Sequence, residues 1–512
     1  MKYKYLNKYG FKIKKVEEIS KIVGKFNSRK KKISMCHGVF DIVHPGHVRH
    51  LFYAKSKADI LVVSITADQH ISKGHHRPHV PEKLRALNLA AFEMVDYVII
   101  DKNKTPLTNI KKIKPNYFAK GFEYGKNNMP KETISEINEI KKFGGSMIFT
   151  PGDLVLSSTK ILETSLPNLH LEKLLVTMDN NSITFEDLKN TLKHLNKFKV
   201  HVVGDTIIDT YTNTSLIGGQ VKTPTFSVLY HNDKKYLGGA GIVSKHLKSA
   251  GADVTFTTIL GKDELNKFVV EDCKQNKIKI NFISEKNRPT TNKNVFIAGG
   301  YRLLKVDTLD NKPIEDLTIN KISKLIAKVK CDAIIFSDFR HGIFNEKTIK
   351  LFSSKIKKNV FKVADSQVAT RWGNISEFTN FDLITPNERE ARFCLADQDS
   401  SIGVLSAKLR DTTKFKNLIL KLGSKGVLCV GKKNSDQYFN FDSFAENVLD
   451  PVGAGDALLS YATLVYLKTK SLAKAGLIGS IAAACECEKD GNIPIKVNDI
   501  VEKIEKIEKI TN

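Results

Sequence analysis

The apolar positions in the first third of the chain follow two different periodicities. Residues 12–26 repeat their apolar positions at helical spacing, and residues 83–94 do the same. Continuous apolar runs, which are typical of parallel strands buried on both faces, predict strands at 33–36, 60–65, 97–100, 117–119 and 147–149. Strands that alternate with helices in this way predict a doubly wound α/β domain over residues 31–165, with residues 1–30 as an N-terminal helical extension.

A second α/β pattern begins after a polar stretch. Residues 166–197 contain one helical segment and are predicted to form a linker and a lead-in helix, and residues 198–512 are predicted to form the second domain. Its strands are predicted at 200–203, 254–256, 333–336, 361–364, 383–384 and 427–430, and its helices at 241–249, 388–395, 454–468 and 497–509. Because the two halves carry different motifs, we predict two unlike domains rather than an internal repeat.

The charge of the chain is strongly positive. Its 512 residues include 81 Lys and Arg against 55 Asp and Glu, which gives a formal net charge of +26. A surplus of this size suits nucleic acid, anionic lipid or anionic small substrates. The basic residues are scattered in short runs, so we interpret them as a solvated surface whose field favours phosphorylated substrates. We do not expect nucleic acid as the partner.

Cysteine use and hydropathy predict a cytoplasmic protein. The seven cysteines are dispersed, and several lie in apolar runs, which is typical of reduced core thiols rather than of a disulfide framework. The N-terminus lacks the apolar core of a signal peptide, and no long apolar run is free of charge. We therefore expect neither secretion nor membrane insertion.

The most informative string in the first domain is GVFDIVHPGH at residues 38–47, on a predicted strand-to-helix loop. Gly46 lets the backbone approach a phosphate closely, and the free N–H groups of the following helix carry a partial positive charge. His44 and His47 would lie beside the phosphates of a nucleoside triphosphate. Imidazole donors there would stabilise the negative charge that develops when a substrate phosphate attacks the α-phosphorus. The string therefore predicts nucleotidyl transfer without a protein nucleophile.

This string resembles the cytidylyltransferase-like nucleotidyltransferase superfamily over residues 33–162, and most of all the nucleotidyltransferase half of bifunctional ADP-heptose synthases. The letters KGFEY at 120–124 and SSTKI at 157–161 add to the resemblance. It implies that His44 and His47 are catalytic, and it implies nucleotide and phosphate contacts from Phe40, Asp41, Gly46, Lys55, Lys120, Ser158 and Thr159. A basic substrate loop, rather than a zinc site, is our interpretation of His70, His75, His76 and His79.

The second informative string, DPVGAGD at residues 450–456, precedes a predicted helix. The backbone N–H groups of Gly453, Ala454 and Gly455 can surround the γ-phosphoryl group of a nucleotide as an anion hole. Asp456 stands at the helix start, where it can accept the proton of a substrate hydroxyl. The string therefore predicts phosphoryl transfer to a hydroxyl group.

The domain around DPVGAGD resembles the ribokinase (PfkB-type) sugar kinases over residues 200–494. The resemblance implies a three-layer α/β/α fold with a small β lid. It implies that Asn387 and Glu390 organise Mg²⁺ through the phosphates, with Glu388 as a second candidate, and that Gly423 and Gly426 border the ATP base. Sugar contacts are implied for Asp205, Asp209, Gly238, Gly239 and Asp338.

Three positions depart from the pattern of these kinases. Ile242, His341 and Lys421 stand where the resemblance leads us to expect Asn, Lys and Thr. Phosphate transfer from ATP stays the expectation, and the departures leave the identity of the sugar open.

The two strings together predict that one chain joins two steps of a pathway. The resemblance implies ATP-dependent phosphorylation of heptose 7-phosphate at C1, then synthesis of ADP-heptose for a surface glycan such as lipopolysaccharide, with release of pyrophosphate and with Mg²⁺ as the cofactor. The domain order is reversed relative to the familiar bifunctional enzymes. Because related kinases often pair through the lid, we expect a homo-oligomer formed by the kinase domain, with residues 217–237 as the candidate lid.

Two alternatives stay open. The first is a cytidylyltransferase that uses CTP with another phosphorylated sugar or polyol, such as glycerol phosphate, and is fused to a divergent carbohydrate kinase. The second is not an enzyme, but a nucleotide-binding scaffold or a basic nucleic-acid binder.

Overall fold

The computed structural model describes residues 8–27, 31–71, 77–121, 129–150, 170–195, 198–217, 226–367, 374–431 and 438–511. The chain divides into two compact units. The first is Met1–Lys173 with Asp399–Leu405, and the second is Leu174–Gln398 with Ser406–Asn512.

The first unit is built around a parallel five-stranded sheet. Its strands are β1 (Ile33–Gly38), β2 (Ile60–Thr66), β3 (Tyr97–Asp101), β4 (Tyr117–Lys120) and β5 (Ser146–Phe149). They lie in the order β3-β2-β1-β4-β5. The helices of this unit are α1 (Val16–Asn27), α2 (Pro45–Ser56), α3 (Glu82–Ala90), α4 (Leu107–Ile113) and α5 (Lys131–Lys141). The α/β prediction for this part of the chain is confirmed.

Both faces of this sheet are buried, which explains the unbroken apolar runs in its strands. On β2, Leu61 and Val63 join a cluster that includes residues of α2 and α3. The neighbouring Ile60 and Val62 join a different cluster, with residues of α1, α4 and α5. Since successive side chains of a strand point to opposite faces, a strand covered on both sides has no polar face to alternate with.

The second unit contains a nine-stranded sheet. Its strands are β6 (Lys199–Gly204), β9 (Asp253–Ile259), β10 (Lys279–Ile283), β13 (Ala333–Asp338), β14 (Phe361–Ser366), β15 (Leu383–Ile384), β16 (Asn417–Lys421), β17 (Val427–Val430) and β18 (Tyr438–Phe441). They lie in the order β10-β9-β6-β13-β14-β15-β16-β17-β18. Neighbouring strands are parallel from β10 to β16. β17 runs antiparallel to β16, and β18 runs antiparallel to β17.

Helices accompany this sheet throughout the second unit. They are α6 (His170–Asn180, at the boundary of the units), α7 (Phe185–Leu192), α8 (Ala240–Ser249), α9 (Glu264–Gln275), α10 (Asp316–Lys328), α11 (Glu346–Lys355), α12 (Glu388–Leu395), α13 (Ile402–Thr413, which begins in the first unit), α14 (Ala454–Thr469), α15 (Leu472–Cys487) and α16 (Val497–Thr511). The pair α14 and α15 packs closely, since a Cβ placed on Gly479 would lie 3.1 Å from the Cβ of Ala462.

The predicted lead-in helix is present as α7. Thr184 begins it with a capping box shared with Asp187, and Leu188 and Leu192 are buried. The Nζ atom of Lys189 lies 3.1 Å from a carboxylate oxygen of Glu508 on α16. Helix α7 therefore packs as part of the second unit rather than forming an exposed linker.

A separate four-stranded sheet lies in the second unit. Its strands are β7 (Thr206–Leu216), β8 (Val228–Gly239), β11 (Asn292–Ala298) and β12 (Tyr301–Thr308), in the order β12-β11-β7-β8. β7 pairs with β11 in parallel, while β8 and β12 are antiparallel to their neighbours. Residues 228–237 of the candidate lid belong to β8 of this sheet, and residues 218–225 lie outside the described residues.

All seven cysteines lie in the described part of the chain, and all seven are free thiols. Four of them, Cys36, Cys273, Cys429 and Cys485, are buried. Among the described helices, none has both the length and the apolar character that a bilayer crossing requires.

Candidate active sites

The first candidate site is the loop between β1 and α2. His44 caps α2, because its Nδ1 accepts the N–H of Gly46 at 3.2 Å, and Pro45 occupies the first helical position. The ring of His47 stacks on that of His44, with centroids 3.9 Å apart. Because Nδ1 of His44 accepts, a neutral His44 carries its proton on Nε2, which can donate to a ligand.

Desolvation keeps both imidazoles uncharged at neutral pH. It lowers the pKa of His47 to about 4, and the neighbouring His44 and His50 contribute to the same shift. Desolvation also lowers the pKa of His44. These rings are therefore neutral hydrogen-bond donors rather than cations, and binding of a polyphosphate would favour their protonation.

Two buried side chains hold this loop in place. The carboxylate of Asp41 accepts the N–H groups of His79 and Val80 at 3.0 and 2.8 Å. Arg85 is fully buried on α3 and donates to the carbonyl oxygens of Val80, Val39 and Thr66 and to the carboxylate of Asp68. Asp41 therefore supports the loop from within, and Phe40 beside it adopts a positive φ of 49° that few non-glycine residues tolerate.

A cavity of about 850 Å³ opens beside this loop, and its lining includes Asp41, His44, Arg49, Phe52 and His79. The two lysines with predicted phosphate contacts are held by carboxylates. The Nζ atom of Lys55 lies 2.6 Å from Asp96, and that of Lys120 forms an ion pair with Glu136 and donates to Thr133. Ser158, Thr159, His75 and His76 lie outside the described residues.

The second candidate site is a cavity of about 660 Å³ at the N-terminus of α14. Gly453, Ala454, Gly455 and Asp456 line it. Gly453 has a φ of 87°, and a Cβ there would lie 2.4 Å from Asn492 Oδ1, so only glycine fits this turn. The turn presents the start of a 16-residue helix to the cavity, which is the arrangement that binds anions.

Asp456 is buried beside this turn. Its Oδ1 atom has no hydrogen-bond partner in the part of the chain that the structure describes. Burial, together with the nearby Asp365, raises the pKa of Asp456 to about 8. A carboxylate with an open oxygen and a raised pKa, in a cavity, has the properties of a general base.

The predicted magnesium residues separate into two groups. Asn387 and Glu390 form a reciprocal capping box at the start of α12, with Asn387 Nδ2 2.6 Å from Glu390 Oε1, and both line the cavity. Burial raises the pKa of Glu390 to about 7. Glu388 instead pairs with Arg392 at 2.8 Å and lines a neighbouring surface depression. The structure therefore favours Glu390 over Glu388.

The predicted sugar residues lie at the lid side of the same cavity. Asp209 and Gly239 line it. Gly238 lies directly beside Asp209, because a Cβ on Gly238 would be 2.3 Å from Asp209 Oδ2. Asp205 accepts the N–H groups of Phe339 and His341 at 2.9 and 3.2 Å, so it fixes the loop after β13.

Asp338 supports that loop rather than lining the cavity. It lies at the end of β13, where it accepts a hydrogen bond from Ser366 Oγ at 2.7 Å and pairs with Arg340 at 2.9 Å.

The two glycines predicted to border the ATP base, Gly423 and Gly426, flank a short 3₁₀ turn, and both line the cavity. Gly426 has a φ of 85°, and a Cβ there would meet the carbonyl oxygen of Phe441 at 2.0 Å.

Several residues that line or border this cavity were not predicted as site residues. They include Lys293, Lys421, Glu486 and Asn492. Both carboxylate oxygens of Glu486 are buried without a partner among the described residues, and burial raises its pKa to about 8. The sequence signal was weak, since Glu486 stands between Cys485 and Cys487 at the end of a mostly apolar run. Lys421 was noted only as a departure from the expected Thr.

Two family models match the chain in separate segments. The model described as pfkB family carbohydrate kinase matches residues 197–498. The model described as Cytidylyltransferase-like matches residues 35–164.

Several curated relatives share the name Bifunctional protein HldE. The protein from a Nitratiruptor species is 26% identical over 311 residues, which are 60% of this chain and 65% of the relative. The protein from Campylobacter jejuni subsp. doylei is 28% identical over 59% of this chain and 64% of the relative. The protein from Aliarcobacter butzleri is 40% identical over 136 residues, 26% of this chain and 29% of the relative. In each case the match spans less than two thirds of the relative.

Solved structures with the same fold include phosphofructokinase-2 from Escherichia coli. Its complex with substrates and products superposes with a TM-score of 0.52 at 16% identity, covering 60% of this chain and 99% of that one. Its complex with fructose-6-phosphate gives a TM-score of 0.51 at 14% identity, covering 61% and 99%. At these identities the likeness establishes the fold alone. The first family model spans more than half of the chain, and we conclude that this protein belongs to the pfkB family of carbohydrate kinases and carries a cytidylyltransferase-like domain ahead of the kinase domain.

Proposed function

We propose that this chain is a bifunctional enzyme of ADP-heptose synthesis. Its kinase domain phosphorylates heptose 7-phosphate at C1 with ATP, and its nucleotidyltransferase domain converts heptose 1-phosphate and ATP into ADP-heptose and pyrophosphate. The HldE relatives and the two family matches support this proposal. The order of the two domains is, in this proposal, reversed relative to the familiar bifunctional enzymes.

The observation that carries the kinase half is the open carboxylate oxygen of Asp456 beside the glycine turn. In the proposed reaction, the oxygen of the C1 hydroxyl group attacks the γ-phosphorus while Asp456 accepts the proton of this hydroxyl group. The bond between the γ-phosphorus and the bridging oxygen breaks, and ADP leaves. The backbone N–H groups of the Gly453–Gly455 turn face the oxygens of the γ-phosphoryl group, which carry negative charge during the transfer.

The residues present also fit the Mg²⁺ that such a reaction uses. Mg²⁺ prefers oxygen ligands, commonly one or two carboxylates together with substrate phosphates. Asn387 and Glu390 both bear side-chain oxygens and line the cavity, so they are the residues that would hold the ion. When bound, Mg²⁺ would neutralise part of the charge of the nucleotide phosphates.

The nucleotidyltransferase half rests on the stacked His44 and His47 at the start of α2. A phosphate oxygen of heptose 1-phosphate attacks the α-phosphorus of ATP, the bond to the β-phosphate breaks, and pyrophosphate leaves. The two imidazoles donate to the oxygens around the α-phosphorus, and Asp41 keeps the loop in position. The phosphate at C7 must be removed between the two steps, so the proposal requires a separate phosphatase.

The lid sheet supports the proposed homo-oligomer. It exposes several large apolar side chains, namely Leu216, Leu229, Tyr230, Leu304 and Val306. Exposed apolar patches of this kind mark contact surfaces, and we propose that the lid of a second copy of this chain packs against this patch.

Seven free cysteines and ATP as substrate fit the proposed cytoplasmic location.

The proposed function is tested by a substrate panel. The purified full chain is incubated with ATP or CTP and a set of phosphosugars and phosphopolyols, and products are identified by mass spectrometry. We expect ADP and heptose 1,7-bisphosphate from heptose 7-phosphate with ATP, and ADP-heptose and pyrophosphate from heptose 1-phosphate with ATP. A nucleotide-linked polyol from CTP would establish the cytidylyltransferase alternative. No product with any pairing would leave the non-enzymatic alternative.

The kinase reaction is expected to depend on pH through Asp456. A general base acts in its deprotonated form, and the pKa of Asp456 is raised to about 8. The kcat/KM for phosphorylation, measured with both substrates well below saturation, should therefore increase as the pH rises towards about 8 and level off above it, because this ratio reports the free enzyme. If kcat/KM no longer changed with pH near pH 6, below the raised pKa, this result would contradict the assignment of Asp456 as the general base.

A further inference from the structure

Lys421 is fixed at the C-terminal end of β16, at the wall of the kinase cavity. Its backbone N–H donates to the carbonyl oxygen of Pro386 at 2.9 Å, and it forms an isolated bridge with Asn387. The strand therefore ties Lys421 to the segment that carries the proposed magnesium residues. In open parallel sheets, ligands bind at this edge, beyond the carboxyl ends of the strands.

The side chain of Lys421 is largely buried and points to an acidic partner. Its Nζ donates to Oδ1 of Asp365 at 2.8 Å, and the two side chains are 13% and 3% exposed. Thr385 Oγ1 donates to the same carboxylate oxygen at 2.9 Å and so orients Asp365. An ammonium group has three N–H donors. One of these N–H groups donates to Asp365, and the other two can donate to an anion in the cavity.

The ammonium group also lies against the glycine turn. A Cβ placed on Gly455 would be 3.2 Å from Lys421 Nζ, 3.6 Å from its Cδ and 3.8 Å from its Cε. A side chain at position 455 would therefore press on the lysine, whereas glycine leaves the ammonium beside the backbone N–H groups that face the cavity. The turn supplies partial positive charges, and Lys421 adds a full one at the same place.

The charges around Lys421 keep it protonated. Burial alone would lower its pKa, but the carboxylates of Asp365, Glu390 and Asp456 outweigh burial and raise it. Without a cation, the carboxylate of Asp365, and those of Glu390 and Asp456 once they ionise, would repel a nucleoside triphosphate. A lysine at this position therefore offsets the acidic residues where the phosphates must lie.

We propose that Lys421 is a catalytic residue of the kinase site, whose ammonium group binds the γ-phosphoryl group as it is transferred, while Asp365 is a positioning residue that orients this ammonium. The inference rests on the proposed kinase function. The P–O bond to C1 forms, the bond to the β-phosphate breaks, the hydroxyl proton goes to Asp456, and Lys421 keeps its proton throughout. The lysine thus provides a fixed positive charge where the family pattern leads us to expect a threonine.

The competing explanation is that Lys421 only neutralises the buried Asp365. A comparison of four full-length proteins separates the two: wild type, Lys421→Met, Asp365→Asn, and the double variant. Sugar-dependent ADP formation gives the kinase kcat and the KM for ATP, because only the kinase domain releases ADP in the proposed function. Thermal unfolding of each protein serves as the folding control, and pyrophosphate release by the other domain should be unchanged.

We expect Lys421→Met to lower the kinase kcat by about 100-fold, in the range seen when one charge-stabilising donor is lost. The KM for ATP in the kinase reaction should change far less than kcat, because the contact strengthens in the transition state. The double variant should be as slow as Lys421→Met, since removal of Asp365 cannot replace the missing donor. Lys421→Arg should recover part of the activity.

Two results would overturn the role of Lys421. One is a Lys421→Met protein with wild-type kcat, and the other is a double variant whose kcat returns to the wild-type value, which would mean that Lys421 serves only to neutralise Asp365. A wild-type chain that forms no ADP with any phosphosugar would instead overturn the proposed kinase function itself, so the two failures are distinguishable.

Discussion

Asp456→Asn is expected to lower the kinase kcat by about 1,000-fold, within the range of general base catalysis. The substitution keeps the size of the side chain and removes its ability to take a proton. Asp456 is buried at the first turn of α14, and its open oxygen is the atom that would receive the proton of the sugar hydroxyl. Sugar-dependent ADP formation at saturating ATP measures this loss.

Thermal unfolding provides the control for Asp456→Asn. The folded pKa of Asp456 is raised above its ordinary value of 3.8 to about 8, so ionisation of this group opposes folding as the pH rises between these values. The asparagine variant does not ionise, and its melting temperature at alkaline pH should equal or exceed that of the wild type. Loss of kinase activity with an unchanged or higher melting temperature therefore indicates a chemical role. Turnover near the wild-type rate would mean that another group takes the proton.

His47→Ala is expected to lower the rate of pyrophosphate release by about 100- to 1,000-fold, the loss typical of removing one donor from a charge-stabilising site. His47 stacks on His44 and its ring centroid lies 5.0 Å from that of Phe40, so the alanine also removes the support for both rings. Pyrophosphate release from ATP and heptose 1-phosphate is the measurement, and sugar-dependent ADP formation should be unchanged.

His50→Ala is the matched control for His47→Ala. His50 lies on the same helix, is half-buried like His47, and bonds to Thr150 Oγ1 at 2.5 Å rather than belonging to the stacked pair. We expect it to affect pyrophosphate release much less than His47→Ala does. Equal losses from the two alanine variants, or a parallel loss of kinase activity, would contradict a specific role for His47.

The sequence predicted the central sheets because their strands carry unbroken apolar runs. The runs at 33–36, 60–65 and 333–336 correspond to β1, β2 and β13, each buried on both faces. The lid strands β11 and β12 were not predicted. Their residues are largely half-buried or exposed, so polar side chains interrupt the apolar pattern. Pairing between strands distant in the sequence, rather than local apolar character, defines this sheet.

The candidate sites were predicted where the chemistry lies in one short string. The residues of GVFDIVHPGH and DPVGAGD were predicted to lie together at helix starts, and the structure brings them together there. Contributions from distant strands and loops could not be predicted in the same way. Asn492 reaches Gly453 only through tertiary folding, and the choice between Glu388 and Glu390 depends on which side chain closes the capping box with Asn387.

The acidic side chains of the kinase cavity have a consequence for nucleotide binding. Asp456, Glu390 and Glu486 have pKa values raised to about 8, 7 and 8, so these side chains are partly protonated at neutral pH. Arrival of a polyanion and departure of product must therefore exchange protons with the buffer. Substrate affinity and turnover consequently respond to acidity in opposite directions, because the protonated cavity repels phosphate less while catalysis needs a deprotonated base.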